Sequence, residues 1–411
     1  MSAKVMLGAV LVGHLEPDEA TERVKFTFDP SYVARPDRPV LSRSFEELDL
    51  SWSRVFEGRS LPSFFRNLLP EGALRKVLEA RMPRSRLLEY RMLLRLGEDL
   101  PGNLIVTTDE LDVEETETST PTAFEPSRPD SDPIRFALAG VQLKASIVAR
   151  AERLTLPLVG ASGDWIAKFP SAVLADLPEN ELTMLRWAHA AGLDVPEHRL
   201  AEVSAIENLP SDFPSTGKAL LVRRFDRTTA GRIHQEDFSQ VFGLEPEDRY
   251  LVDVPDYVHY GALGAIILAL CGGEDLREYV RRLAFMVLSG NNDAHLKNWT
   301  LVYPDGLHAR LSPLYDVVAT IAYERLDRVL ALGWLAPEDP NHTPHIPFEA
   351  VDYEYFRALA RFVGHAEDEI ERDVRAFVAR ARSAWDEIQD SSVPKRVREG
   401  VTEHLRRCRI R

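Results

Sequence analysis

Cysteine is scarce in this chain of 411 residues, which contains only Cys271 and Cys408. Two thiols this far apart in the sequence cannot build a disulfide framework or, by themselves, a cysteine-rich metal site. Scarce cysteine is also typical of proteins that work in a reducing compartment. The composition therefore argues against a small disulfide-stapled protein and favours a cytosolic one.

Long hydrophobic runs are lacking as well. The most apolar internal stretch, Gly261–Cys271, is shorter than the roughly 20 residues that a membrane-spanning helix needs. Residues Met1–Gly13 contain no small-residue cleavage site of the kind that ends a secretory signal. We therefore expect a cytoplasmic protein with no membrane partner.

Positive charge is in deficit, because the formal net charge is −15. Proteins that grip nucleic acid over a broad surface use Lys and Arg to neutralise phosphates, so that class is disfavoured. The basic stretch Lys395–Arg411 is interpreted as a solvated surface helix. A Walker A motif is also missing, since Asp212 stands at its first glycine position and Ala219 follows Lys218.

Apolar residues make up 45% of the chain and charged residues 28%, which is typical of a globular protein with a large core. Residues 109–133 differ, because they contain nine Asp or Glu and four Pro. Such a segment buries little apolar surface, so it is predicted to be an acidic flexible linker. It divides the chain into an N-terminal subdomain, residues 1–108, and a larger remainder.

The remainder changes character along its length. Strand-like runs dominate residues 134–234, interrupted by one helix from about Asn180 to Gly192. Residues 235–411 are mostly helical by their apolar spacing, with predicted helices at Tyr260–Leu270, Leu276–Leu288, Tyr353–Val363 and Glu367–Ile388. This order predicts an α+β protein with a strand-rich N-lobe, a helical C-lobe and a two-lobed, protein-kinase-like fold.

A polar loop, Gly290–Asn298, follows an apolar helix. A kinase catalytic loop needs a carboxylate to deprotonate the acceptor hydroxyl and, five residues later, an amide oxygen to hold magnesium. Asp293 and Asn298 have that separation. On spacing alone, an ordinary polar turn explains these residues equally well.

A carboxylate flanked by apolar residues, Asp316, follows Asn298 by about eighteen positions. Magnesium is commonly held by one or two carboxylates together with substrate phosphates, so Asp316 is a candidate ligand. Upstream, Lys168 could bind the phosphates and Glu181 could hold it in place. A solvated edge lysine and a glutamate that favours the helix dipole are the alternatives.

Taken together, these segments resemble the HipA family of serine/threonine-kinase toxins. The matching stretches run in family order: FFRNLLPEGALR, GEDLPGNLIV, LAGVQLK, IAKFP, NELTMLRWAHAAGLDVP, RRFDR, HQEDFSQVFG, GNNDAHLKN and LSPLYDVV. The resemblance implies ATP and Mg²⁺ as cofactors, a protein substrate such as an aminoacyl-tRNA synthetase, and a HipB-like helix-turn-helix antitoxin. DNA would be contacted only indirectly, through that antitoxin.

The resemblance also assigns residues. It implies that Asp293 is the catalytic base and that Asn298 and Asp316 bind the metal. The residues implied in ATP binding are Ala139, Gly140, Val141, Gln142, Leu143, Lys144, Lys168, Glu181, Arg223, Arg224, Phe225, His295, Leu296, Lys297, Asn298, Tyr315 and Asp316.

The chain departs from the family pattern at several positions. Ala137 stands where many members carry a phosphorylatable serine, so regulation through that serine is not available here. Ser131 or Ser146 could substitute for it, but nothing in the sequence indicates that either does. Leu143 replaces a usual acidic residue, and Arg223 a frequent glutamate.

Two other functions stay open. The chain could be a catalytically quiet binding module in an antitoxin–operator complex, or a small-molecule or lipid kinase on the same scaffold. Lys168, Asp293, Asn298 and Asp316 argue against the first, because such groups are costly to keep in a cleft without a ligand.

Overall fold

The computed structural model of the protein describes residues 2–46, 55–57, 61–80, 82, 87–108, 142–150, 153–155, 163–211, 213–249, 255–336 and 346–411. The predicted linker, 109–133, lies outside these residues. So do Ala137 and three of the residues implied in ATP binding, Ala139, Gly140 and Val141. What the sequence indicates about them stays a prediction.

The N-terminal subdomain is built on an antiparallel sheet. Its described strands lie in the spatial order β4-β3-β2-β1-β5 and are β1 (Ala3–Leu7), β2 (Val10–Asp18), β3 (Arg23–Phe28), β4 (Val55–Glu57) and β5 (Leu104–Thr107). Alternate residues of β1, such as Val5 and Leu7, are buried, as expected for a sheet that packs one face on a core. The predicted strands of the first 35 residues are therefore present.

Short helices cover this sheet: α1 (Pro30–Val33), α2 (Arg43–Glu46), α3 (Ser63–Arg66), α4 (Gly72–Ala80) and α5 (Leu88–Leu96). Phenylalanine rings join the helices to the strands. The ring centroids of Phe26 and Phe65 are 5.1 Å apart, and those of Phe45 and Phe64 are 5.5 Å apart. Aromatic pairs at these distances stabilise a core beyond the area that they bury.

A second sheet forms the N-lobe. Its described strands lie in the order β10-β7-β6-β8-β11-β9 and are β6 (Lys144–Arg150), β7 (Arg153–Thr155), β8 (Trp165–Lys168), β9 (His198–Glu202), β10 (Ile206–Glu207) and β11 (Lys218–Arg223). Helix α6 (Leu177–Ala190) connects β8 to β9. The predicted strands at LKASIVAR, WIAKFP and ALLVRRF are confirmed, and α6 covers most of the predicted helix.

A small hairpin, β12 (Arg227–Thr228) with β13 (Gly231–Arg232), leads into the C-lobe. There, β14 (His234–Asp237) precedes α7 (Phe238–Val241) and pairs antiparallel with β15 (Thr300–Tyr303). β15 in turn pairs with β16 (Arg310–Leu311) across a turn in which Gly306 has φ +81°, a conformation that favours glycine. This strand pair and its turn occupy the chain between Asn298 and Asp316.

Helices fill the rest of the C-lobe: α8 (Tyr260–Cys271), α9 (Gly273–Ser289), α10 (Tyr353–Val363), α11 (Glu367–Ile388) and α12 (Lys395–Arg407). α6 of the N-lobe packs on them through Trp187, whose ring lies 4.9 Å from that of Phe285 and 4.7 Å from that of Trp385. None of the helices in the described part of the chain combines the length and the apolar content needed to cross a membrane.

The basic C-terminal stretch, which the sequence analysis interpreted as a solvated surface helix, forms a helix with one buried face. α12 buries Val397 and Val401 completely, and Nε2 of His404, on the same face, donates to the backbone oxygen of Val287 at 2.8 Å. The positive charges are confined to the opposite face. The apolar positions every three to four residues in this stretch are the signal of such an amphipathic helix.

The N-terminal subdomain is joined to the C-lobe through a buried carboxylate, Glu236 of β14. Its oxygens accept hydrogen bonds from the hydroxyls of Ser42, at 2.6 Å, and Tyr303, at 2.5 Å, and from the backbone N–H of Arg43, at 3.0 Å. Burial raises the pKa of Glu236 to about 7, against the lowering effect of these three hydrogen bonds. Ionising this group therefore costs free energy in the folded state.

This burial predicts a pH dependence. A carboxyl whose pKa is raised on folding contributes stability that is complete below its unfolded pKa, about 4.3, and is lost as the pH rises through about 7. Because Glu236→Gln cannot ionise, its thermal midpoint should rise relative to that of the wild type as the pH increases through this window. Scans at several pH values, with Glu202→Gln at an exposed glutamate as the control, measure the difference. A constant offset between wild type and Glu236→Gln would contradict the prediction.

Candidate functional site

The centre of the candidate site is the ammonium group of Lys168, at the end of β8. Its side chain is almost fully buried, yet it contacts two carboxylates: Glu181 of α6 and, at 2.6 Å, Oδ1 of Asp316. Glu181 is itself completely buried. Neither alternative from the sequence, an edge lysine in solvent or a glutamate that only favours the helix dipole, describes these side chains.

Lys144 adds a second cation to this cluster. Lys144 of β6 and Lys168 of β8 are register partners on neighbouring strands, so their side chains leave the same face of the sheet. The ammonium of Lys144 lies 2.7 Å from Oδ2 of Asp316. Both oxygens of Asp316 therefore contact a lysine. The family resemblance had indicated Lys144 only as one of the residues implied in ATP binding.

The charged groups in this cluster shift one another's pKa. Burial raises the pKa of Asp316, but the ammonium groups of Lys144 and Lys168 outweigh it and hold that pKa far below its usual range. Burial lowers the pKa of Lys168, but the negative charges of Asp316 and Glu181 outweigh burial. The pKa of Lys168 is therefore raised above its ordinary value. Burial raises the pKa of Glu181. Asp316 is therefore ionised, as a metal-binding carboxylate must be.

The backbone directs Asp316 into the cleft. Its φ is +55°, in the left-handed region, where residues other than glycine are uncommon and Asp is among the better tolerated. Tyr315, which precedes it, is fixed by its hydroxyl, which donates to the backbone oxygen of Lys297 at 2.8 Å and shares a second hydrogen bond with the hydroxyl of Thr300 at 2.6 Å. A strained conformation held by such contacts is typical of a functional position.

The predicted catalytic loop is held by its own polar residues. The backbone N–H of Asp293 donates to Oδ1 of Asn291 at 2.9 Å, and Nδ2 of Asn298 donates to the backbone oxygen of Asp293 at 2.6 Å. Gly290, at the end of α9, has φ +62°, and a Cβ there would come within 2.4 Å of Ile321. The loop geometry therefore requires glycine at this position.

The remaining loop residues divide between the cavity and the core. His295 is buried with its Nε2 3.9 Å from Asp293, whereas Leu296 is completely buried in the hydrophobic core and lies outside the cavities described below. The ammonium of Lys297 contacts Oδ2 of Asp237 at 2.8 Å and the backbone oxygen of Asn67 at 2.9 Å. Lys297 thus connects the loop to the N-terminal subdomain.

The segment after β11 connects the two lobes. The side chain of Arg223 is half-exposed and pairs with Glu197, while Phe225 packs against Tyr315 with ring centroids 5.5 Å apart. Arg224 is buried and pairs with Asp99 of the N-terminal subdomain, at 2.7 Å, and with Asp226, at 2.9 Å. Arg224 therefore anchors the connecting segment, and its guanidinium group is engaged by carboxylates.

The residues near the start of β6 are only partly described. Nε2 of Gln142 donates to the backbone oxygen of Phe169 at 3.0 Å, so the chain just before β6 is tied to the residue that follows β8. The side chain of Leu143 is buried in the core of the N-lobe sheet. Leu143 could therefore contact a nucleotide only through its backbone.

Two adjoining cavities are lined by most of the predicted site residues that the structure describes; Leu143, Glu181 and Leu296 line neither. One, of about 350 Å³, lies against the connecting segment and is lined by Ile166, Val222, Phe225 and Lys168 among others. The other, of about 480 Å³, contains Asp293, His295, Lys297 and Asn298. Tyr315, Asp316 and Lys144 line both. Their sizes suit a small-molecule site.

The N-terminal subdomain supplies one wall of this cleft. Leu74, Asp99 and Pro101 line both cavities, and Asn67 and Glu71 line the larger one. Sequence reasoning assigned no role to these residues. The available signal was the presence of their stretches, FFRNLLPEGALR and GEDLPGNLIV, among the ordered family matches.

The oxygen donors suit magnesium. Nδ2 of Asn298 donates within the loop, and no described residue donates a hydrogen bond to its Oδ1, so this amide oxygen is available to a metal. Each oxygen of the ionised Asp316 contacts a lysine and has a second lone pair for a metal. The described residues contain no cluster of three or more His, Cys, Asp or Glu that could hold a metal. The residues fit magnesium that binds together with a phosphate ligand.

Comparison with known proteins gives consistent matches. A family described as the HipA N-terminal domain matches residues 3–107, and one described as the HipA-like C-terminal domain matches residues 136–385. Two proteins of Sinorhizobium fredii named as candidate kinases are similar: Y4dM is 39% identical over 318 residues, 76% of each chain, and Y4mE is 30% identical over 345 residues, 78% of each chain.

A solved structure has the same fold. A chain of the Shewanella oneidensis toxin–antitoxin complex of HipA, HipB and operator DNA superimposes with a TM-score of 0.76 at 21% sequence identity. The match covers 99% of this chain and 96% of that one. The two-lobed, kinase-like α+β fold predicted from the sequence is thereby confirmed.

The cluster around Lys168 makes a prediction about stability. Lys168→Met would leave Glu181 buried without its cation, and breaking a buried ion pair from one side typically costs about 3–5 kcal/mol. Lys144→Met should cost much less, about 0–1 kcal/mol, because Lys144 is 40% exposed and Asp316 keeps Lys168 as a partner. Chemical denaturation of both variants compares these costs. Equal losses would contradict the assigned geometry.

Proposed function

The chain belongs to the HipA family, and from that membership and the cleft described above we propose that it is an ATP- and Mg²⁺-dependent serine/threonine-protein kinase of the HipA toxin type. The observation that carries the proposal is the buried Lys168, held between Glu181 and Asp316 in a cleft that also contains Asp293. Phosphoryl transfer requires these groups: a cation for the phosphates, a carboxylate for the metal and a base for the acceptor.

In the proposed reaction, Lys168 binds phosphate oxygens and Glu181 keeps its ammonium in place. Asn298 and Asp316 would hold Mg²⁺, which when bound neutralises the charge that develops on the phosphates. Lys144 is a second cation on the same side of the cleft. Asp293 orients the acceptor hydroxyl and accepts its proton. Such positioning and charge stabilisation supply most of the acceleration in phosphoryl transfer.

The adenine would lie in the smaller cavity, between the N-lobe sheet and Phe225. Ile166 and Val222, which are paired on neighbouring strands and lie on one face of the sheet, form an apolar surface that suits a flat aromatic base. Because the guanidinium of Arg224 is engaged by Asp99 and Asp226, contacts from the connecting segment would come from its backbone and from Phe225.

The proposed substrate is a cytosolic protein, for instance an aminoacyl-tRNA synthetase, whose phosphorylation would arrest translation. The proposed partner is a small HipB-like antitoxin, because the fold matches a HipA chain from a complex with HipB and operator DNA. The net charge of −15 is consistent with DNA contact through the antitoxin rather than through a broad surface of this chain.

The role of Asp293 has a direct test. Asp293→Asn removes the proposed base and leaves the cluster around Lys168 unchanged, so nucleotide affinity should stay within a factor of about two. Phosphoryl transfer should fall by about 10²–10⁴-fold, the usual contribution of a general base. Transfer from labelled ATP and calorimetric titration with ATP and Mg²⁺ measure the two effects. Transfer at the wild-type rate would refute the assignment of Asp293.

Asp316 should behave differently. Asp316→Asn removes one metal ligand and the charge that holds two lysines, so turnover should be abolished and Mg²⁺ should no longer strengthen nucleotide binding. Calorimetric titrations with ATP, with and without Mg²⁺, give the metal-dependent part of the affinity. If the variant kept the full magnesium effect, Asp316 would not be a ligand, whatever its effect on turnover.

A further inference from the structure

Four apolar residues of the N-terminal subdomain line the larger cavity together with Asp293. They are Pro70, Leu74, Leu96 and Pro101, and we call them the apolar wall. Each of the four is only half-buried. Apolar side chains left half-exposed in a concave site are typical of surfaces that bind a ligand.

The wall is held in place relative to Asp293. Four residues after Asp293, the ammonium of Lys297 binds the backbone oxygen and Oδ1 of Asn67, at 2.9 and 3.1 Å. On the other side, Nδ2 of Asn67 donates to the backbone oxygen of Leu244 in the C-lobe at 2.8 Å. Because Pro70 follows Asn67 closely in the chain, these bonds set the position of the wall against the loop.

The charges that line the larger cavity are predominantly negative. Its carboxylates belong to Glu71, Asp99, Asp237, Asp293 and Asp316. Its two ammonium groups, of Lys297 and Lys144, already contact Asp237 and Asp316. A nucleotide with its phosphates would add further negative charge. Phosphorylated metabolites and anionic lipid headgroups would be repelled, since like charges that are brought together in a partly buried site are costly.

We propose that this wall selects the acceptor, so that the protein favours a serine or threonine with an apolar side chain beside it. The inference rests on the proposed kinase function and adds the side chain that the site favours next to the acceptor. The hydroxyl oxygen would form a bond to the γ-phosphorus of ATP while the bond from that phosphorus to the β,γ-bridging oxygen breaks. The hydroxyl proton would pass to Asp293, and ADP would leave with the bonding electron pair.

Leu96 offers a matched pair of variants. Leu94 and Leu96 both lie on α5, are both half-buried and both pack on the core of the N-terminal subdomain, but only Leu96 lines the cavity. Leu96→Ser should therefore weaken acceptor binding, and Leu94→Ser should show what the same change costs in stability alone. Nucleotide affinity with Mg²⁺ should be unchanged in both.

The experiment measures transfer from labelled ATP to serine peptides that differ only in the neighbouring residue: leucine, alanine or aspartate. In the wild type, kcat/KM should be highest with leucine and lowest with aspartate. Leu96→Ser should lose about tenfold in kcat/KM with the leucine peptide, the usual worth of a lost apolar contact, and little with the alanine peptide. Leu94→Ser should keep the preference of the wild type.

The outcomes separate this inference from the proposed function. No preference for leucine, or the same loss in Leu94→Ser and Leu96→Ser, would overturn the wall as an acceptor site. Transfer to small alcohols or lipids in place of every peptide would overturn the protein-kinase part of the proposed function, and this inference with it. Failure to bind ATP with Mg²⁺, measured calorimetrically on the same wild-type protein, would overturn the proposed function itself.

Discussion

The contact of Lys168 with Glu181 and Asp316 is the constraint on which the site depends. A buried ammonium needs opposite charges nearby, because burial without them would cost several kcal/mol. The three residues come from β8, from α6 and from the segment after β16, the last of which is 148 positions beyond Lys168. Satisfying this one charge therefore fixes the N-lobe sheet, its helix and the C-lobe relative to one another. The same arrangement keeps Asp316 ionised and turned into the cleft.

The N-terminal subdomain contacts the residues that form the cleft. Asp99 pairs with Arg224 in the segment that connects the lobes, Asn67 holds Lys297 of the predicted catalytic loop, and Ser42 binds Glu236 of β14. The residues of the first two contacts line the cavities, and the third contact lies in the buried junction between the subdomain and the C-lobe. In the described residues, the cavities are bounded by the N-terminal subdomain, the N-lobe and the C-lobe. A fold of two lobes alone would bound them on two sides. The reading of the subdomain as a separate unit did not anticipate this.

Long elements with strong patterns were the most predictable part of the fold. The predicted bounds of α10 and α11 agree with the structure at every end, because their apolar spacing is regular, and because Asp352 caps α10 at its start and Gly364 ends it in a left-handed conformation. β14 was not predicted, since its four residues, His234–Asp237, alternate in burial without containing an apolar side chain. It exists because β15, more than sixty positions later, pairs with it. Such pairing leaves no local signal.

The sequence by itself determined the fold class and the family, and it identified the chemical groups at Asp293, Asn298, Asp316 and Lys168, because residue types at fixed spacings and ordered motifs can be read from one chain. Only the tertiary structure decided where the side chains point. It joined Lys144 to Asp316, turned Lys297 toward Asn67 and Asp237, and buried Leu296 in the core. The physical reason is that side-chain direction follows from strand register and from packing between segments far apart in the sequence, which local patterns do not encode.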